Sequence, residues 1–281
     1  MTQKSILAII GAVMLFTACN VKDPIHETDH PDKARVTLSA DWTGIDPNLT
    51  KPAKYTAVVN GTEYKDIPTV TESYTFPDIA PGSYAAYLYN ETEGISMSGT
   101  TAAATYTSTP LDWLFTGKLS ETVEADRDYE FTVPIKQHVR ELTLIIEPTG
   151  GTADNIEGIT ATLGGVAGTL DFSADTHGAA TNAPLAFSKI TNGTDAGKWM
   201  ATVRLLGVTG AEQKLTGTIT YVGGTPAATP LESDLTSGLA SFNADKKTPM
   251  TLGGTVETPT KTGFTATIND WTTVSGTGTA D

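Results

Sequence analysis

The chain has 281 residues, with 32 acidic against 18 basic side chains and a formal net charge of −14. So acidic a chain, with no basic stripe, has nothing to neutralise a phosphate backbone, which excludes nucleic acid as a partner, and an anionic leaflet would repel it too. Its single cysteine, Cys19, leaves no disulfide to form, so folding must rest on hydrophobic burial, and this length predicts two domains.

The first predicted element is a signal. Lys4 supplies positive charge, Ile6 to Phe16 form an apolar run of eleven residues, and Thr17-Ala18 are small residues ahead of Cys19. This is the order of a bacterial lipoprotein signal, and it falls short of the roughly 20 apolar residues that span a bilayer. Phe16 departs from the pattern, which usually has Leu, Val or Ile there. Cleavage before Cys19 would leave 263 residues (281 less 18), and losing Lys4 would take the net charge to −15. Each buried methylene of an acyl chain contributes about 0.8 kcal/mol, so two or three chains on Cys19 would hold the protein on a membrane almost irreversibly.

Residues 19–34 read as a lipidated tether, polar, proline-punctuated and without apolar periodicity. Inside it, His26-Glu27-Thr28-Asp29-His30 spells the HExxH pattern of zinc peptidases. That chemistry needs a helix to bring both imidazoles onto one face. Pro24 and Pro31 bracket too short a segment, with nothing apolar to dock it, so a solvated tether is expected and no metal or other cofactor.

From Val36 the apolar residues alternate with period two: Val36, Leu38, Ala40 and Trp42; Tyr55, Ala57 and Val59; Tyr129, Phe131 and Val133; Leu142, Leu144 and Ile146; Ile159, Ala161 and Leu163; Trp199, Ala201, Val203 and Leu205; Leu215, Ile219 and Tyr221; Phe264, Ala266 and Ile268. Turns are predicted at Asn60-Gly61, Pro81-Gly82, Gly150-Gly151, Asn192-Gly193, Gly223-Gly224 and Gly253-Gly254. Short alternating strands between such turns predict an all-β fold of two tandem antiparallel β-sandwich domains, at 35–135 and 136–281, with the boundary near Pro134 to His138.

Residues that could carry chemistry are sparse. His138 and His177 stand alone, with no nucleophile elbow, Walker A loop or GxGxxG. Glu91 with Glu93 and Asp126 with Asp128 read as solvated edge or turn residues rather than acid-base pairs. Asp154-Asn155 and Asp171 to Asp175 lack the spacing of a calcium loop. Trp42 and Trp199 belong to strand patterns, whereas Trp113 and Trp271 could stack on a sugar ring. No enzyme is predicted; a surface lipoprotein that binds glycan is the alternative to a structural subunit.

The order of features carries a resemblance. After the signal and tether come VTLSADW, PGSY with AAYLYNE, PLDWLFTGK, DRDYEFTVPIKQHVRELTLIIEP and EGITATLGGVAGTLDF. This series resembles the fimbrillin and fimbrial-anchor superfamily of Bacteroidales, most clearly from Val36 to Phe172. The resemblance implies transthyretin-like, Greek-key sandwiches in series, no catalytic site, and a lipid-anchored place on the outer membrane, exposed at the cell surface in a fimbrium. The implied partners are other fimbrial subunits, the membrane reached through the lipid, and host or glycan ligands. Polymerising pilins of this family are cut after an N-terminal arginine and joined by β-strand addition. Here Arg35 is the only arginine ahead of the first predicted strand, and a cut there would leave Val36 to Trp42 in place, which fits an anchor, accessory or tip subunit. Val36, Leu38, Phe264, Ala266 and Ile268 are the candidate strand-exchange residues.

Overall fold

The computed structural model describes residues 26–71, 73–258, 265–268 and 270–274. Within them the chain is almost all β. In order the strands are β1 (Ala34–Asp41), β2 (Lys54–Val59), β3 (Thr62–Pro68), β4 (Ser73–Ile79), β5 (Gly82–Tyr89), β6 (Ile95–Ser98), β7 (Thr101–Ala104), β8 (Phe115–Val123), β9 (Arg127–Gln137), β10 (Arg140–Gly150), β11 (Ile156–Ala167), β12 (Thr169–Asp171), β13 (Thr176–His177), β14 (Ala180–Lys189), β15 (Trp199–Leu205), β16 (Lys214–Tyr221), β17 (Thr229–Asp234), β18 (Met250–Thr258), β19 (Ala266–Thr267) and β20 (Thr272–Thr273). Three pairings among these are parallel, β1 with β9, β10 with β18 and β17 with β19, so the two large sheets are mixed rather than purely antiparallel.

A seven-stranded sheet has the order β3-β2-β5-β8-β9-β1-β4. Alternation sends Ala34, Val36 and Leu38 of β1, Ala57 and Val59 of β2, and Tyr84, Ala86 and Leu88 of β5 into one core. The β2–β3 hairpin turns at Asn60-Gly61, where φ is 47° and 82°. Two consecutive positive φ angles match the twist of a hairpin, and Asn and Gly tolerate them best. The outer strands β3 and β4 meet through Tyr64 and Phe76, whose ring centroids lie 4.9 Å apart.

A nine-stranded sheet has the order β19-β17-β16-β11-β14-β15-β10-β18-β20. Its core takes Leu142, Leu144 and Ile146 from β10 and Trp199, Ala201, Val203 and Leu205 from β15. β19 and β20 are separated in sequence only by residues 268–271, yet they stand at opposite ends of this order. The sheet therefore curls until the C-terminal segment bridges its two edges. Ala266 and Ile268 are buried in the core, Ser233 Oγ of β17 donates to the Ile268 carbonyl (2.5 Å), and Trp271 Nε1 donates to Ser233 Oγ (2.7 Å). Gly253-Gly254, predicted as a turn, lies inside β18. A Cβ at Gly254 would collide with Cγ2 of Ile268 and approach the Trp271 ring at 3.3 Å, so this glycine makes room for the closing segment.

The chain passes between the two large sheets at residues 138–139, but they do not meet only through that link. A third sheet, β13-β12-β7-β6, joins one hairpin from each side. β12 pairs antiparallel with β7, with Thr169, Leu170 and Asp171 opposite Ala103, Ala102 and Thr101. Beneath it lies a third core of Ile95, Ala102, Leu111, Leu114, Val139, Leu170, Phe172 and Leu206. Polar cross-links frame this waist. Tyr106 Oη donates to the Ala167 carbonyl (2.8 Å) and accepts from the Leu206 amide (3.2 Å), and Gln137 Nε2 donates to the Lys246 carbonyl (2.7 Å).

Two consequences can be measured. Phe172→Ala empties the waist of its largest side chain and is expected to cost about 3–5 kcal/mol in urea unfolding, the usual range for a buried Phe→Ala. Gly254→Ala is expected to speed hydrogen exchange across residues 266–274 while amides of β10 and β15 keep their protection.

Candidate assembly site

The N-terminal candidates sit deep in the first sheet. Val36 and Leu38 are 0% and 1% exposed, and β1 is hydrogen-bonded on both sides, parallel to β9 and antiparallel to β4. β1 is thus an interior strand, and it alone connects β4 to the rest of the sheet. Ala266 and Ile268 lie on the edge segment that closes the second core. Phe264 and Cys19 fall outside the described residues.

The end of the tether is more ordered than a solvated tether would be. The Asp126 carboxylate accepts from the amides of Glu27 (2.7 Å) and Thr28 (2.7 Å) and from Thr28 Oγ1 (2.9 Å). His30 Nε2 donates to Asp128 (3.0 Å) and Nδ1 to the Lys33 carbonyl (3.2 Å). Arg35 pairs with Asp29 (3.0 Å) and Asp128 (3.7 Å), and Arg127 with Glu27 (3.7 Å). Residues 26–33 therefore form a strap across the β8–β9 turn. Asp126 holds a left-handed φ of 60°, which Asp tolerates better than most residues. The amide of Glu27 leads in holding its carboxyl below the usual range, with Thr28 adding to it. Burial opposes charge on His30, but the Lys33 carbonyl and Asp128 outweigh it and raise its pKa. The side chains of His26, Glu27 and His30 thus face Asp126, Arg127 and Asp128 respectively, and no cluster of three or more His, Cys, Asp or Glu able to hold a metal occurs among the described residues. Asp126 and Asp128 are strap receptors rather than an acid-base pair.

The remaining candidates are structural in their contacts. Trp113 is half-buried under Arg204, whose guanidinium lies 4.6 Å from its ring centroid, and Trp271 is half-buried against β18. Asp171 accepts from the amide and hydroxyl of Ser173, forming a turn that docks on the first sheet, where Lys118 donates to the Ser173 carbonyl and Lys136 lies 3.9 Å from Asp175. Glu91 faces Lys65 at 3.8 Å.

Sequence reasoning missed the buried Arg140 and the half-buried Lys246 of the waist. Arg140, 6% exposed, donates to the carbonyls of Thr248 (2.6 Å), Phe242 (2.8 Å) and Ser241 (3.3 Å). Its only sequence signal was an arginine opening an apolar strand. Lys246 Nζ donates to the Leu206 carbonyl (2.9 Å) and Asn243 Oδ1 (3.1 Å). Burial first, then the charge of Arg140, pushes Lys246 down to about 7, and burial pushes His138 down to about 4. The unfolded chain restores Lys246 to its ordinary 10.5, so between about 7 and 10.5 the unfolded state binds the extra proton and stability rises with pH. Lys246→Met is expected to flatten that rise in urea melts at pH 7 and pH 9, with Arg140, Asp175, Lys136, His138 and His177 left in place.

A family model described as fimbrillin-A associated anchor proteins Mfa1 and Mfa2 matches residues 35–277. The fold is similar to a candidate adhesin from Bacteroides ovatus (TM-score 0.60, 14% identity, 81% of this chain and 90% of that one). It is also similar to the fimbrial anchor protein Mfa2 from Porphyromonas gingivalis (TM-score 0.56, 11% identity, 86% and 97%). A candidate polysaccharide-binding protein from Bacteroides thetaiotaomicron shares it as well (TM-score 0.55, 8% identity, 80% and 92%). No match was found among curated proteins. At such identities the structures establish the fold alone, while the family match covers most of the sequence: the chain belongs to the fimbrillin-A associated anchor family.

Proposed function

We propose that this protein is a lipid-anchored fimbrial subunit of the outer membrane, an anchor or an accessory or tip component, built as two sandwich units at 35–135 and 136–281. Its family is one of fimbrial, cell-surface proteins with a structural role rather than a catalytic one. One observation carries the anchoring part. The segment that follows the lipidation candidate Cys19 runs into β1, the strand held on both sides within its sheet. A pull on the lipid is then met by two ladders of hydrogen bonds along β1 rather than by a frayed end.

Pairing with other subunits would use β-strand addition. Ala266 sits on a short edge strand and Ile268 directly follows it, so they can be displaced at lower cost than Val36 and Leu38, whose removal would also strand β4. The glycan-binding alternative needs a flat, exposed aromatic face, and the half-burial of Trp113 and Trp271 favours the structural reading.

The test is protease shaving of intact cells making the wild type or Cys19→Ala, with blots of whole-cell, pilus and medium fractions. The wild type is expected at the surface and with fimbriae, and Cys19→Ala in the medium. A surface protein that never fractionates with fibres would sink the fimbrial role.

A further inference from the structure

We infer that residues 26–33 act as a latch that shields the chain between tether and fold from proteolysis, with the β8–β9 turn as its receptor. The two basic residues of this stretch, Lys33 and Arg35, are where an enzyme that cuts after Lys or Arg would attack. Both bonds are held shut. The Lys33 carbonyl accepts from the Asp126 amide (2.8 Å) and from His30 Nδ1 (3.2 Å), and the next residue, Ala34, is 0% exposed. Arg35 lies opposite Asp128 in the parallel ladder with β9, and Val36 after it is also fully buried.

A protease must draw several residues into an extended, unpaired conformation, so cleavage here requires the start of β1 to peel away. Peeling from the N-terminal side begins at the strap. It must first break the three bonds from Glu27 and Thr28 to Asp126 and the contact between His30 and Asp128. The latch matters to the cell only if the anchoring reading holds, because one cut after Lys33 or Arg35 would separate the folded body from its lipid. Its physical test does not need the lipid.

Full-length protein in detergent is digested with trypsin, and cuts after Lys33 and Arg35 are timed by mass spectrometry. Asp126→Ala is expected to speed both about tenfold or more, which corresponds to about 1.4 kcal/mol of lost closure, with cuts after Lys247 unchanged as an internal reference. If Asp126→Ala also lowers the melting temperature, the double variant Thr28→Val with His30→Ala, confined to the strap, decides. Unchanged rates in that variant overturn the latch. A slow wild type that carries no lipid would overturn anchoring and leave the latch standing.

Discussion

The pairing of β7 with β12 is the constraint on which the rest of this molecule depends. Two sandwiches joined by a short link would swing about it, since interfaces between domains of one chain are often modest and mobile. Here a hairpin from each side is laid edge to edge, and the shared sheet covers a core in which Leu111 and Leu114 meet Leu170 and Phe172. Breaking the waist would expose that apolar surface and leave main-chain groups of two strands unpaired. The buried Arg140 strengthens the same region, because its guanidinium gathers the carbonyls of Ser241, Phe242 and Thr248 in one loop, and Lys247 of that loop reaches the Thr43 carbonyl. A buried cation satisfied by carbonyls is costly to expose or to strip of its acceptors.

This arrangement suits load rather than chemistry. β9 runs from the strap to the waist and β10 from the waist outward, each of eleven residues, so one strand length of roughly 35 Å separates the strap from the waist. The ionisable groups along this path are spent on structure: His138 is buried and held neutral, Lys246 is tied to a carbonyl, and Asp126 and Asp128 hold the strap. The strap leads into β1 in the interior of one sheet, whereas the described C-terminal segment ends with β20 at the edge of the other.

Much of the fold was legible in the sequence. Period-two alternation located β1, β2, β9, β10, β11, β15 and β16 because each buries one face, and the Asn60-Gly61 turn was readable from its left-handed backbone requirement. The failures have a common cause. Gly253-Gly254 looked like a turn and is strand, because the space its missing side chains provide is filled by Val274, Ile268 and Trp271. The tether looked solvated, because its partners Asp126 and Asp128 lie about a hundred positions away and look like any acidic turn.

The sequence by itself determined the all-β class, the absence of a helix to organise the HExxH residues, and the family resemblance. Those properties are local: periodicity, turn chemistry, charge and short motifs are written in neighbouring residues. Only the tertiary structure decided that a third sheet and core lock the two halves, that β1 is interior, that the C-terminal segment closes the second core, and that the strap is pinned. Each of these joins residues remote in sequence through hydrogen bonds and burial, and strands that pair across such distances leave no periodic trace of which partner they will meet.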